Sequence, residues 1–175
     1  MTDILTYGLL SFTSLFTLIN PIGILPMYLS LTEGIKRDDR TLINRKGILF
    51  AAIILVIFAF LGNMIFQFYG ITIHSFRIVG GILFFRVGLN MLESKTSRTK
   101  TTPKEEEEAI NKDIFAYTPF GMPIIAGPGS ITSIMIFSSS AETYLHKVTL
   151  VITLVLVLFI SYNIFQFSGR LSTKL

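Results

Sequence analysis

Apolar residues run through this chain in long blocks, and the polar residues gather in short stretches between them. Ile43–Phe68 holds two charges, Arg45 and Lys46, both near its start, and Val148–Phe167 holds none. A stretch of about 20 apolar residues crosses a bilayer core as a helix. The pattern predicts five spans, at roughly 4–32, 46–69, 74–92, 114–140 and 147–168. The first and fourth are long for straight spans, and both contain helix breakers. Pro21, Gly23 and Pro26 lie in one; Pro119, Gly121, Pro123, Gly127, Pro128 and Gly129 lie in the other. Proline removes a backbone donor and clashes with the preceding turn. In a bilayer such a break survives only where protein or a wet cavity satisfies the freed groups. Both segments are therefore expected to be discontinuous or re-entrant and to face the interior of the bundle.

The pattern occurs twice. The first copy reads Asn20-Pro21-Ile22-Gly23-Ile24-Leu25-Pro26, then a basic loop, then an apolar run closing with Ile65-Phe66-Gln67-Phe68-Tyr69-Gly70. The second reads Gly127-Pro128-Gly129-Ser130-Ile131, then a short loop, then a run closing with Ile164-Phe165-Gln166-Phe167-Ser168-Gly169. The closing words lie 99 residues apart. Residues 1–92 are read as a first three-span repeat, 93–113 as a charged linker and 114–175 as a second repeat with two spans. Shifted by the same offset, a partner for the third span would fall at about 175–191, so the second repeat is expected to be one helix short. Spans four and five then keep an unfilled face that a second copy would fit, making a homo-oligomer. Three spans per half invert the second half relative to the first, the arrangement used for alternating access. The expected fold class is an all-α membrane protein, an inverted-repeat bundle of five spans with two broken helices.

Composition supports the membrane reading: 51% of residues are hydrophobic, 15% are charged, and the mean hydropathy is +0.65. The net charge of +4 reports sidedness before any nucleic-acid partner, and none is expected. The basic residues Lys36, Arg37, Arg40, Arg45 and Lys46 lie in 33–46, Lys95, Arg98, Lys100, Lys104 and Lys112 in 93–113, and Arg170 and Lys174 in the tail. That is 12 of the 15, all on one side in a five-span topology. The N-terminus is thus expected outside and loops 33–46 and 93–113 in the cytoplasm. The start lacks basic residues and an Ala-x-Ala site, so the first segment is expected to be kept as a span. The run Glu105–Glu108 fits a solvated linker.

Few residues carry obvious chemistry. Cysteine is absent, which excludes disulfides and thiolate sites. There is no His-Glu-x-x-His motif and no nucleotide-binding glycine loop. His74 and His146, the two histidines, are both expected near outer loops, away from Ser130. No enzyme activity, cofactor or metal is expected. Acidic residues stay at span ends or in loops, which disfavours a buried carboxylate relay. Arg86 is the most conspicuous charge inside a span, about 10 Å of helix rise from its basic end. It is either functional or snorkels to the headgroups. Gly80, Gly81 and Gly88 suit close helix packing. Asn63, Gln67, Asn163 and Gln166 are expected near the outer ends of spans two and five.

The breaks themselves fit a small zwitterion. A broken helix leaves N–H groups at one fragment's N-terminus and carbonyls at the other's C-terminus. The positive end suits a carboxylate, and the carbonyls suit an ammonium. The candidate substrate-binding residues are Asn20, Pro21, Gly23, Pro26, Thr118, Pro119, Gly121, Gly127, Pro128, Gly129, Ser130 and Thr132.

At Asn20-Pro21-Ile22-Gly23 with Pro26, Thr118-Pro119-Phe120-Gly121-Met122-Pro123 and Ala126-Gly127-Pro128-Gly129-Ser130-Ile131, the chain resembles the MarC family of bacterial inner-membrane proteins. The resemblance covers nearly all of the chain. It implies a multi-pass protein of six spans, against five read here, and transport of small neutral amino acids such as glycine and alanine. The expected partners are the lipid bilayer and a small-molecule substrate. The alternatives are a channel or export pore for small solutes, and a membrane scaffold or decaying remnant with no transport role.

Overall fold

Small and apolar residues recur every three or four positions between Ile43 and Phe66, and this stripe organises the molecule. Ile43, Gly47, Ala51, Leu55, Ala59, Gly62 and Phe66 are all buried along one face of a single long helix. Glycine and alanine on a helix face let neighbouring backbones approach closely, which drives association where lipid removes the hydrophobic difference. The computed structural model describes residues 3–72, 74–75, 78–79, 81–82, 85, 89 and 116–171. The expected third span falls largely outside them, and Arg77, Arg86 and the linker 93–113 wholly so.

The described residues form an all-helical bundle. Helix α1 spans Ile4–Ile19, α2 Leu25–Leu31 and α3 Arg37–Phe68; a wide-turned segment covers Ala116–Ile125, followed by α4, Pro128–Ser140, and α5, Tyr144–Leu171. Arg37–Gly62 and Tyr144–Ser168 are each long and apolar enough to cross a membrane. The Ala116–Ile125 segment and α4 qualify together as one span bent by 57°. At 16 residues, α1 is shorter, about 24 Å against a hydrocarbon core of about 30 Å. It buries Tyr7, Ser11, Leu15 and Ile19, one residue every four, and leaves Leu5, Leu9 and Leu10 exposed on other faces.

Side-chain bonds fix the helix directions. The Tyr7 hydroxyl donates to the Phe137 carbonyl at 2.7 Å, so the start of α1 lies beside the end of α4. Ser11 Oγ and Thr153 Oγ1 lie 3.2 Å apart and share a hydrogen bond between α1 and α5. The Ser138 hydroxyl donates to the Ala59 carbonyl, joining α4 to the upper part of α3. At the other end, Asn44 Nδ2 donates to the Tyr162 carbonyl at 3.0 Å and Gln166 Nε2 to Thr41 Oγ1 at 2.9 Å. Helices α1 and α5 therefore run one way, α3 and α4 the other. In the first half the broken pair leads and α3 returns; in the second the broken pair and α5 take the opposite directions. The two halves are inverted.

Two expectations need correction. The stretch 33–46 is not a loop throughout, because α3 begins at Arg37 and carries Arg37, Arg40, Arg45 and Lys46 in its first turns. Asp38 and Asp39 in its first turn complement the positive helix end. Gln166 is not at the same end as Gln67. It bonds Thr41 beside the basic residues, with Asn163 less than a turn before it, while Gln67 lies at the far end of α3. Inversion places the two copies of one word at opposite ends of the bundle.

Candidate functional site

The first break is built around Asn20. Its backbone is left-handed, with φ 46° and ψ 56°, and its N–H caps α1 on the Phe16 carbonyl at 2.9 Å. Asparagine tolerates this conformation better than other side chains, and Pro21 then stops the helix. Asn20 Oδ1 accepts from the Gly23 N–H at 3.1 Å. The Asn20 carbonyl accepts from Ile24 N–H at 3.1 Å, and that of Ile22 from Leu25 N–H at 3.3 Å. A Cβ on Gly23 would collide with the Asn20 carboxamide. Three N–H groups of this break, those of Gly23, Ile24 and Leu25, are thus taken up by the break itself. Pro21 is buried, whereas Gly23 and Pro26 are exposed.

The second break is different. Extended backbone at Thr118 (φ −138°, ψ 123°) and Met122 (φ −141°, ψ 129°) interrupts the wide segment. A six-residue turn encloses Met122, closed by the bond from Ala126 N–H to the Gly121 carbonyl at 2.9 Å. Gly127 is the N-cap of α4 and Pro128 its first residue, and no side chain caps this terminus. Proline suits that position because its missing donor is one that the helix leaves unpaired anyway. The Ser130 hydroxyl donates to the Ile125 and Gly127 carbonyls at 2.8 and 3.0 Å, and the Thr132 hydroxyl to the Pro128 carbonyl at 2.7 Å. Both side chains are buried. They satisfy carbonyls of the break rather than its N–H groups. A Cβ on Gly127 would sit 2.7 Å from the Pro123 carbonyl oxygen, and one on Gly121 2.9 Å from the Phe50 ring. Thr118 is exposed, Gly121 buried, and Gly127 and Gly129 half-buried. Pro119 lies within the same segment, between Thr118 and Phe120.

Aromatic side chains bring the two breaks together. The Tyr28 ring, two residues past Pro26, lies 5.0 Å from that of Phe120, between Pro119 and Gly121. Phe165 of α5 completes the cluster, 4.9 Å from Tyr28 and 5.4 Å from Phe120. Aromatic pairs at such spacings add attraction beyond area burial. Gly47 of α3 makes room for Phe120, since a Cβ there would meet the ring and sit 2.8 Å from the Ala116 carbonyl.

A cleft of about 550 Å³ lies between α1 and α4, lined by Thr13, Ser14, Thr17, Leu18, Ser133, Ile136 and Phe137. The antiparallel crossing puts the C-terminus of α1, at Asn20, and the N-terminus of α4, at Gly127–Ser130, toward the same end of it. The negative end of one helix dipole and the positive end of another thus approach the same end of a mostly apolar cleft that carries the hydroxyls of Thr13, Ser14, Thr17 and Ser133. Its lining holds no charged side chain. None of these lining residues stood out in the sequence. The signal was there in the Thr13, Ser14 and Thr17 spacing, which places three hydroxyls on one face of an apolar helix. A second signal is the word x-Pro-x-Gly, at Asn20–Gly23 and Thr118–Gly121, 98 residues apart. It pairs the first break with the turn at Phe120 rather than with Gly127–Ile131. Among the described residues, no group of three His, Asp or Glu side chains is placed to hold a metal ion.

The family model for MarC family integral membrane proteins matches residues 5–175. The chain belongs to the MarC family. It is 38% identical over 159 residues to the UPF0056 membrane protein MJ0972 of Methanocaldococcus jannaschii, covering 91% of this chain and 70% of that protein. It is 36% identical over 165 residues to the UPF0056 membrane protein YvbG of Bacillus subtilis, covering 94% and 78%. Similarity to the UPF0056 membrane protein YhcE of Escherichia coli is 38% over 128 residues, covering 73% and 60%. No solved structure matches the chain. Both broken segments of this MarC-family chain lie within the matched residues.

Proposed function

We propose that this integral membrane protein carries small neutral amino acids, or metabolites of similar size and charge, across the bacterial inner membrane. The observation that carries the reading is the N-terminus of α4 at Gly127–Ser130, set toward the same end of the cleft between α1 and α4 as the C-terminus of α1. An amino acid zwitterion needs one partial positive and one partial negative partner and no full charge. The inverted halves give such a site two ways to open. In this reading the chain is a carrier and not an enzyme, with the N-terminus on the outer face and the basic start of α3 in the cytoplasm, as the positive-inside rule directs.

The test is exchange of labelled glycine and alanine across proteoliposomes holding the full chain, with empty liposomes and a Pro128→Ala/Gly129→Leu variant alongside. Saturable counterflow that the folded variant lacks is the expected result. Flux without saturation points instead to a pore, and no flux with either substrate rejects amino acid carriage.

A further inference from the structure

Six residues of α4 carry a hydroxyl, and five of them spend it. Ser130 and Thr132 donate to carbonyls of the break and Ser138 to the Ala59 carbonyl of α3. Ser139 and Ser140 donate to the Met135 and Ile136 carbonyls, one turn back, at 2.8 Å. The sixth, Ser133, makes no side-chain hydrogen bond among the described residues, although it is only 4% exposed. A serine inside a helix has the carbonyl four residues back within reach, so a buried hydroxyl left uncommitted stands out. On α1, Ser14 and Thr17 are uncommitted in the same sense, whereas Thr13 donates to the Leu9 and Leu10 carbonyls.

All three uncommitted residues line one cavity, the cleft of about 550 Å³ between α1 and α4. The fully enclosed side-chain polar atoms without a partner among the described residues are Arg40 Nε and Asn44 Oδ1. Ser133 Oγ is not one of them, so open space remains beside it, and the space at Ser133 is the cleft. Pockets of about 300–1,000 Å³ are the size that holds small molecules. Ser133 follows Ser130 by three residues and Thr17 precedes Asn20 by three, about 4.5 Å of helix rise in each case. An amino acid held by its charged groups at these two helix ends therefore directs its side chain toward Thr17 and Ser133, with Ser14 one turn further along α1.

The chemistry of this part of the cleft is narrow. Leu18, Ile136 and Phe137 make the rest of the wall apolar, and no charged side chain lines it. A hydroxyl both donates and accepts. Its best partner here is an uncharged group that does the same. A charged group would find no counter-charge, and a methyl group would leave the hydroxyls unpaired.

We propose that Ser133, Thr17 and Ser14 form the side-chain subsite of the carrier and select neutral amino acids whose side chain bears a hydroxyl. The substrate hydroxyl donates to one of the three and accepts from another. The subsite rests on the carrier reading above and adds to it the residues that choose among substrates.

The test uses the full chain in proteoliposomes, with labelled threonine and labelled valine, which have the same shape and differ by a hydroxyl in place of a methyl group. The parent chain should half-saturate with threonine at about one-tenth the concentration needed for valine, the scale of one or two neutral hydrogen bonds. Ser133→Ala and Thr17→Val should each bring that ratio close to one, and Thr17→Ser, which keeps the hydroxyl, should preserve it. Melting temperatures in detergent should stay near that of the parent chain, because neither hydroxyl holds a bond within the protein. If Ser133→Ala does not fold, Thr17→Val and Ser14→Ala, at less buried positions, decide the matter. Equal half-saturation by threonine and valine in the parent chain, or a preference that survives the substitutions, would mean that the hydroxyls hold water only. Either result would overturn the subsite while leaving the carrier reading intact. Exchange of none of glycine, alanine, threonine and valine by the parent chain would remove both.

Discussion

The two breaks in this chain carry similar words and do different things. At the first, Asn20 turns the chain and Asn20 Oδ1, Asn20 O and Ile22 O absorb the N–H groups of Gly23, Ile24 and Leu25. At the second, Ser130 and Thr132 spend their hydroxyls on carbonyls; neither α2 nor α4 has a side-chain cap at its start, so the difference lies in the turn before each helix and in helix length. The helix after the first break is seven residues long; the helix after the second has 13. A longer helix with an uncapped start presents the stronger positive end. A proline and a glycine in a membrane segment thus announce a break without saying whether it is closed or open. The side chain beside it decides that.

The cluster that joins the breaks gives the largest effect. Phe120→Ala removes a fully buried ring from contact with Tyr28 and Phe165. Its expected cost is about 3–5 kcal/mol, the range for truncating a buried aromatic side chain. Thermal unfolding in detergent should show it, and the two breaks should separate in a cross-linking assay between positions flanking Tyr28 and Gly121. A variant as stable as the parent chain would mean that the breaks are held together by something else.

Next come the glycines, which separate the two breaks directly. At Gly127 an added methyl meets the Pro123 carbonyl, a backbone atom with little room to yield. Gly127→Ala should cost about 1–3 kcal/mol, as overpacking does. At Gly23 the methyl meets the Asn20 carboxamide, a side chain that can swing aside at the loss of its bond to the Gly23 N–H. Gly23→Ala should therefore cost only about 1 kcal/mol. Melting temperatures of the pair, measured in one detergent, test the order; a reversed order would contradict the closed and open assignments. Ser130→Ala should fall near the lower value, about 1 kcal/mol, by stripping a donor from the Ile125 carbonyl.

How much of this could be read beforehand follows from what each signal encodes. Hydropathy encodes length and environment, so the apolar blocks behind α3 and α5 were legible, as was an all-helical membrane fold. Proline and glycine encode backbone limits, so both breaks were legible as places. Hydroxyl orientation is set by helix packing, so Thr13, Ser14, Thr17 and Ser133 were not recognised as one wall until α1 and α4 were seen to cross. Charge was read as loop, yet Arg37–Lys46 is helical, because basic side chains are good helix formers once an N-terminus is available. Gln166 was matched to the outer end by its likeness to Gln67, although the inverted halves and the basic tail just beyond it already call for the opposite end, where it bonds Thr41.

The smallest effect is also the cleanest separation of the two breaks, because it asks whether Asn20 acts on a ligand or on its own turn. Asn20→Gly keeps access to the left-handed backbone at φ 46° and loses the bond from Gly23 N–H. Asn20→Ala loses the bond and strains the backbone as well. If the side chain serves the turn, the glycine variant should lose about 1 kcal/mol and the alanine variant more. Gly23→Ala should then add almost nothing on top of either, since the carboxamide that it would strike is gone. Such non-additivity, about 1 kcal/mol in a double-mutant cycle, is what contacting residues produce. Additive losses in stability, or a glycine variant that keeps full stability and loses only substrate exchange, would instead make Asn20 a ligand group and the first break as open as the second.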